Sequence, residues 1–339
     1  MEFLWLLVML PGLAYLYVRW RFGLSAQEEK LIEEVMAKPN DDLLFAPLQT
    51  VQLADTEICY EDIPGKSPTA ETILLLHGLT QTMLSFPPYF VEAFLQAGYR
   101  VVRIDHQGGG GSSWVPHWGQ PDKYNLRDLA RHADEVMAHL NIESYHVVGI
   151  SMGGMVAQCM AIAYPERVLS LTSMMSTAYM DDPEIKPIPR KLVFGMAYVL
   201  RMYGKQLSSL RGKLRFNLAM NRLMQGNRSY RFDHRSTVEA AHYEITHKKG
   251  FNGKARLQHG YAIRKAGSRI EALQKLSVPS LVVHGTHDSL VRVEHGRKTA
   301  ALIPNCQTLF MEGLGHHLPR AFCAEITGAI LGLVGEGAV

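Results

Sequence analysis

Ser151 stands in the pentapeptide Gly149-Ile150-Ser151-Met152-Gly153, between the apolar runs Tyr145-His146-Val147-Val148 and Met155-Val156-Ala157. A G-x-S-x-G sequence where a buried strand turns into a helix can make a serine reactive. The hydroxyl is a weak nucleophile until a sharp turn exposes it and a base reaches it. Gly149 and Gly153 permit such a turn. A plain small-residue bend has the same sequence, so the decision falls to partners elsewhere. Acyl transfer requires a base, an acid that orients it, and donors for the developing oxyanion.

Each of these has a placed candidate. The run Leu74-Leu75-Leu76 ends in His77-Gly78-Leu79-Thr80, a turn that can aim a backbone N–H, that of Leu79, at the serine; the N–H of Met152 is the second donor. His77 and Gly78 then shape the turn, and His77 is expected to be structural. A second apolar run, Ser280-Leu281-Val282-Val283, leads through His284-Gly285-Thr286-His287 to Asp288, a carboxylate placed to fix an imidazole in one tautomer. The loop after Met174 offers only Ser176 and Thr177, so the competing place for the acid is empty. Last comes Glu312-Gly313-Leu314-Gly315-His316-His317-Leu318-Pro319. Adjacent histidines cannot both face one site; His316, after Gly315, is the expected base and His317 its exposed or locally bonded neighbour. The order Ser151, Asp288, His316 is that of a serine acyl-transfer site, and its chemistry requires neither metal nor cofactor.

The elements that position these residues follow from periodicity. Apolar runs predict strands over 72–76, 100–104, 145–148, 169–174, 280–283 and 308–311, with a hairpin around 51–63. Helical patterns cover 89–97, 126–140, 152–163 and 294–302. Continuous apolar strands alternating with helices imply an α/β fold: a mostly parallel central sheet covered by helices on both faces. The rhythm breaks over 181–268, which reads as an inserted helical lid, so the core divides into 45–180 and 269–339.

On these residues the chain resembles the α/β-hydrolase family over about 45–335. Gly250-Phe251-Asn252-Gly253-Lys254-Ala255-Arg256-Leu257-Gln258, followed by Val278-Pro279 and the Ser280 strand, is similar to the carboxylic esterase subgroup that includes aclacinomycin methylesterase. The resemblance implies Ser151 as nucleophile, Asp288 as acid, His316 as base, and Leu79 and Met152 as oxyanion donors. The family's usual D-x-R-G-x-G-x-S reads here Asp105-His106-Gln107-Gly108-Gly109-Gly110-Gly111-Ser112. Gln107 replaces the arginine, four glycines loosen the loop, and no Lys-Ser or Lys-Thr follows that would suit a nucleotide phosphate.

Composition bounds the setting. The 339 residues are 47% hydrophobic, enough for a large core, and a net charge of +3 gives no reason to expect nucleic acid. Cys59, Cys159, Cys306 and Cys323 are scattered, without metal spacing, and read as free thiols. Residues 3–18 are uncharged, bordered by Trp5, Tyr15, Tyr17 and Trp20 and followed by Arg19 and Arg21. A helix there would be ~24 Å long against a hydrocarbon core of ~30 Å. We expect 1–21 to be an uncleaved membrane anchor, ahead of a signal peptide or a surface-lying helix, with the catalytic domain cytoplasmic by the positive-inside rule. Pro11-Gly12 would kink such a helix. Ser25-Ala26-Gln27-Glu28 matches a capping box and opens an amphipathic linker within 22–44. From 185 to 231 the chain holds eleven Lys or Arg and no acid. That stretch is either an ordinary lid with a solvated basic face or a surface for anionic lipid headgroups.

The expected function is therefore hydrolysis of lipophilic carboxylic esters, with membrane lipids as the other partner. Ser151 disfavours fold relatives that use an aspartate nucleophile, and the acid-free lid stretch disfavours an aminopeptidase, although Glu239 and Glu244 follow it. A monoacylglycerol lipase-like enzyme, an acyltransferase or a C–C hydrolase would use the same residues. A silent tethered binding protein is the rival from outside enzymology.

Overall fold

A computed structural model describes residues 22–115, 123–227 and 230–336. Eight strands form one sheet in the order β1-β2-β4-β3-β5-β6-β7-β8. β1 (Leu48–Gln52) and β2 (Glu57–Ile63) form the hairpin, and β2 runs antiparallel to β4 (Arg100–Ile104). From β4 onward all neighbours are parallel: β3 (Thr72–Leu76), β5 (Tyr145–Ile150), β6 (Val168–Met174), β7 (Ser280–Gly285) and β8 (Gln307–Met311). Alternation along β3 divides the core. Ile73 and Leu75 pack with Phe90 and Phe94 of α2 (Pro88–Ala97) and Ile326 and Ile330 of α11 (Arg320–Glu336). Leu74 and Leu76 face the other way, toward α3 (Leu126–His139) and α4 (Met152–Ala163).

Parallel strands end at one edge, so the loops after β3, β4, β5, β7 and β8 gather there. The chain leaves β3 for β4 on one side and continues with β5 on the other, which opens a crevice between the loops after β3 and β5. Between β6 and β7 the chain runs through α5 (Arg190–Tyr203), α6 (Leu210–Leu223), α7 (His234–His247) and α8 (Ala255–Ala266). The short α9 (Ile270–Leu273) then leads back to the sheet, and α10 (Val293–Leu302) joins β7 to β8.

The expected membrane anchor, 1–21, lies outside the described residues; among the described residues no helix is long and apolar enough to cross a membrane. The segment expected as a linker does more than connect. α1 (Ala26–Ala37) opens with a capping box in which Ser25 and Glu28 satisfy each other's backbone donors. Its apolar stripe, Ile32 and Val35, is fully buried against Leu214 and Leu218 of α6 and Val238 and Ala241 of α7. Its acidic side meets the basic stretch: Glu28 pairs with Arg222 (2.9 Å), Glu29 with Arg215 (2.8 Å) and Glu33 with Arg211. Part of the excess positive charge is therefore neutralised inside the protein, which no view along the stretch alone reveals. Ile32→Ala should lower unfolding free energy by about 2–5 kcal/mol in urea titrations, the usual cost of emptying an aliphatic core site; a loose linker helix would show no loss.

Candidate active site

The turn at Ser151 is set by backbone geometry. Ser151 has φ 57° and ψ −120°, a conformation a residue with a Cβ adopts only when its surroundings enforce it. They do so from both sides. Its N–H donates to the Met174 carbonyl (2.8 Å), and its own carbonyl accepts from Ser176 Oγ (2.7 Å) and the Met155 N–H (3.2 Å). The flanking glycines are steric requirements: a Cβ on Gly149 would collide with the Gly153 carbonyl, and one on Gly153 with the Leu76 carbonyl.

Ser151 forms one hydrogen-bonded chain with His316 and Asp288, each more than a hundred residues further along the sequence. Asp288 Oδ2 lies 2.6 Å from His316 Nδ1, and His316 Nε2 lies 3.0 Å from Ser151 Oγ. Burial by itself would raise the Asp288 carboxyl. The facing His316 with its hydrogen bond and the nearby His284 ring outweigh it and hold the group well below the usual carboxylate range. A carboxylate only accepts, so Nδ1 carries the proton and Nε2 is left to accept from the serine hydroxyl. Asp288 Oδ1 is occupied by the N–H groups of Leu290 and Val291, both at 2.9 Å, which fixes the carboxylate in this rotamer.

Across the crevice, Gly78 approaches closely enough that a Cβ there would lie 3.3 Å from the Ser151 Cβ. Gln81 caps this turn by accepting from the Gly78 N–H (3.2 Å). Among the described residues the Leu79 N–H has no hydrogen-bond partner. Met152 opens α4, whose first N–H has no acceptor within the helix, and the positive end of the helix dipole lies beside it. His77 sits behind the turn, fully buried, donating from Nδ1 to the Gly78 carbonyl (2.8 Å) and accepting at Nε2 from the His106 N–H (3.0 Å). Burial holds it near 4 and therefore neutral. His317 lies between the Tyr230 (5.6 Å) and Phe232 (5.3 Å) rings, tilted to each.

Several polar residues at this edge escaped the sequence reading. His259 on α8 accepts from the Thr80 N–H (3.2 Å) and donates to the Gln107 carbonyl (2.9 Å), tying the loops after β3 and β4 to the insertion. Asn252 bonds the Gly108 carbonyl, Gln258 the Val115 carbonyl and Lys249 the Ser112 carbonyl. The segment that resembles an esterase subgroup is thus the clamp on the loosened glycine loop. Beside it Lys248, buried, contacts Asp105 (2.5 Å) and Glu244 (3.2 Å), while Asp105 Oδ1 accepts from the Met83 N–H (2.8 Å) and Oδ2 from the Gly111 N–H (2.8 Å). Burial raises Asp105, but Lys248 and the Gly111 N–H outweigh it and hold the carboxyl low; burial and the neighbouring Asp105 charge push Glu244 up despite Lys248. A lone histidine within a helix carries no local signal of such a role. His284, in the run that leads to Asp288, likewise carries no local signal: it donates from Nε2 to the Val291 carbonyl (2.8 Å), bracing the acid's loop.

A single, mostly parallel sheet covered by helices on both faces, with a Ser-His-Asp chain at its carboxyl edge and a helical insertion beside it, defines a class of α/β hydrolases. The chain belongs to the alpha/beta hydrolase fold family, which its residues 71–319 match. It is 27% identical over 281 residues to rhodomycin D methylesterase DauP of Streptomyces sp. (strain C5), covering 78% of this chain and 90% of that one. It is 26% identical over 274 residues to a 2-hydroxy-6-oxononadienedioate/2-hydroxy-6-oxononatrienedioate hydrolase of Paraburkholderia phymatum, covering 78% and 88%. Among solved structures, a membrane phospholipase A superposes with a TM-score of 0.64 at 20% identity, covering 98% of this chain and 99% of that one, which shows a shared fold.

Two outcomes follow from this geometry. Lys248→Ala leaves two buried carboxyl groups facing each other and should cost about 3–5 kcal/mol in urea unfolding, as for other broken buried pairs; an unchanged midpoint would contradict the clamp. His77, His259 and His317 are each held near 4 by burial, against an ordinary 6.5. Between these values the unfolded chain binds protons that the native state refuses. Stability should therefore be complete above about pH 6.5 and decline as pH falls toward 4. His317→Phe removes one such group from an aromatic cradle, and melting temperatures between pH 4.5 and 7.5 should show a shallower slope.

Proposed function

We propose that the protein hydrolyses carboxylic esters of lipophilic substrates through an acyl-enzyme on Ser151. The observation that carries this reading is the continuous hydrogen-bonded chain from Asp288 through His316 to a serine on a strained strand-to-helix turn. His316 Nε2 takes the hydroxyl proton as Ser151 Oγ bonds to the ester carbonyl carbon. The carbonyl electrons move onto oxygen, where the N–H groups of Leu79 and Met152 receive the charge. The tetrahedral centre then collapses, the bond to the alcohol oxygen breaks, and His316 returns its proton to that oxygen. Water enters, gives a proton to the same nitrogen and attacks the acyl carbon; the serine recovers its proton as the acid departs. Asp288 stays ionised throughout and stabilises the imidazolium form. No step calls for a metal or a cofactor.

Similarity to a methylesterase supports an ester as substrate. The second reading is cleavage of a C–C bond by the same residues, favoured by similarity to the oxononadienedioate hydrolase; it requires a ketone substrate and no alcohol product. The helical insertion, 181–268, serves as the lid, with the Met224 carbonyl accepting from the His316 N–H (2.8 Å). Its methionines and the uncharged 3–18 segment suit a lipophilic ester met at a lipid surface, with 1–21 as anchor and the domain on the cytoplasmic side.

Hydrolysis of p-nitrophenyl esters of increasing chain length should be measurable and should favour medium over acetyl chains. Ser151→Ala should lower kcat by at least ~10³-fold and abolish fluorophosphonate labelling. If the wild type neither turns over any ester nor labels, the protein is a silent binder and the proposal fails.

A further inference from the structure

α5 has two apolar faces, and only one is covered. Leu192, Gly195, Val199 and Tyr203 are buried, with Val199 and Tyr203 packed against Ala219 of α6. Val193, Phe194, Ala197 and Leu200 share the opposite side at 100° per residue and stand in solvent, Phe194 with 74% of its surface exposed. A ridge of this kind on a helix marks a surface that meets something apolar.

The charges around the ridge say what it meets. Arg190, Lys191, Arg201 and Lys205 are exposed and border it, and among the described residues none of them is in an ion pair. Arg211, Arg215 and Arg222 of α6, by contrast, are matched by the acids of α1. The basic stretch is therefore sorted into a set neutralised within the fold and a set left outward around an apolar ridge. The described chain also begins here: the Phe22 ring lies 5.9 Å from that of Tyr198 on α5. Residues 3–18, sixteen positions without a charge, precede it in the sequence, with Arg19-Trp20-Arg21 between.

We propose that α5 is a membrane-docking face, its ridge entering the boundary between headgroups and acyl chains of an anionic bilayer while Arg190, Lys191, Arg201 and Lys205 lie among the phosphates. This rests on the lipid-surface setting proposed above and is independent of the serine chemistry. A second copy of the chain is a poorer occupant. A two-fold contact sets the same patch against itself, so these four cations would meet their own copies with no acid from 185 to 231 to offset them.

The test uses the full chain reconstituted into vesicles of phosphatidylcholine with phosphatidylglycerol. An environment-sensitive nitrobenzoxadiazole probe is placed on Phe194→Cys or, as a control, on Ser144→Cys, an exposed residue just before β5 at the far edge of the sheet. The probe at 194 should shift to the blue and be quenched by nitroxide-labelled acyl chains, while that at 144 stays water-like. Arg190→Glu with Lys191→Glu should abolish most of the shift, as should phosphatidylcholine alone. If the chain floats with vesicles but both probes remain water-like, the docking face is wrong and the lipid setting stands. Failure to float overturns both. Shielding of the 194 probe that needs no lipid and grows with protein concentration would show that a second copy covers the ridge, and would overturn docking.

Discussion

The site depends on a residue held where its backbone would not rest unaided. Ser151 at φ 57° and ψ −120° carries strain of roughly 1–3 kcal/mol, and three hydrogen bonds to its N–H and carbonyl, with two sterically required glycines, keep it there. The reward is geometric. The turn lifts Oγ out of the sheet edge into reach of His316, and the same turn places the Met152 N–H at the start of α4 next to it. Relaxing that torsion would move hydroxyl and donor together, so the strain and the arrangement of the site are one feature.

The insertion is part of the site's framework, although it lies far from Ser151 in sequence. Its C-terminal half clamps the glycine loop through Lys248, Lys249, Asn252, Gln258 and His259. Its middle bonds the loop that carries His316 through the Met224 and Gly313 carbonyls. A loop of four glycines, free of the arginine that relatives place there, has much backbone entropy to lose on folding; contacts from the insertion offset that loss. α1 extends the same construction outward, its acids consuming arginines that would otherwise repel one another.

Local signals made most of the sheet legible. β5, β6, β7 and β8 and the helices α3, α4 and α10 end within two residues of where apolar runs and helical periodicity place them, most clearly at β5 and β7, where buried parallel strands read as apolar runs. Ser151, Asp288 and His316 could be named because each follows a strand of one parallel sheet, and such strands end together. What stayed hidden depends on long-range pairing. Glu28, Glu29 and Glu33 gave no hint of their arginines nearly two hundred residues away, so α1 read as a linker. His259 is one histidine in a polar helix, and only the fold brings it against Thr80 and Gln107. The unused histidine, His317, was expected exposed or bonded, whereas its ring is enclosed between aromatic neighbours.

The central claim is that Ser151 forms a covalent acyl intermediate that His316 discharges. Rapid mixing with a p-nitrophenyl ester, followed by acid quench and intact-mass analysis, tests it most directly. A burst of p-nitrophenol equivalent to one per protein chain is expected, with a mass gain equal to the acyl group that maps to the peptide containing Ser151 and decays at the turnover rate. Turnover with no adduct at any mixing time and no burst, or an adduct on a different residue, would contradict it.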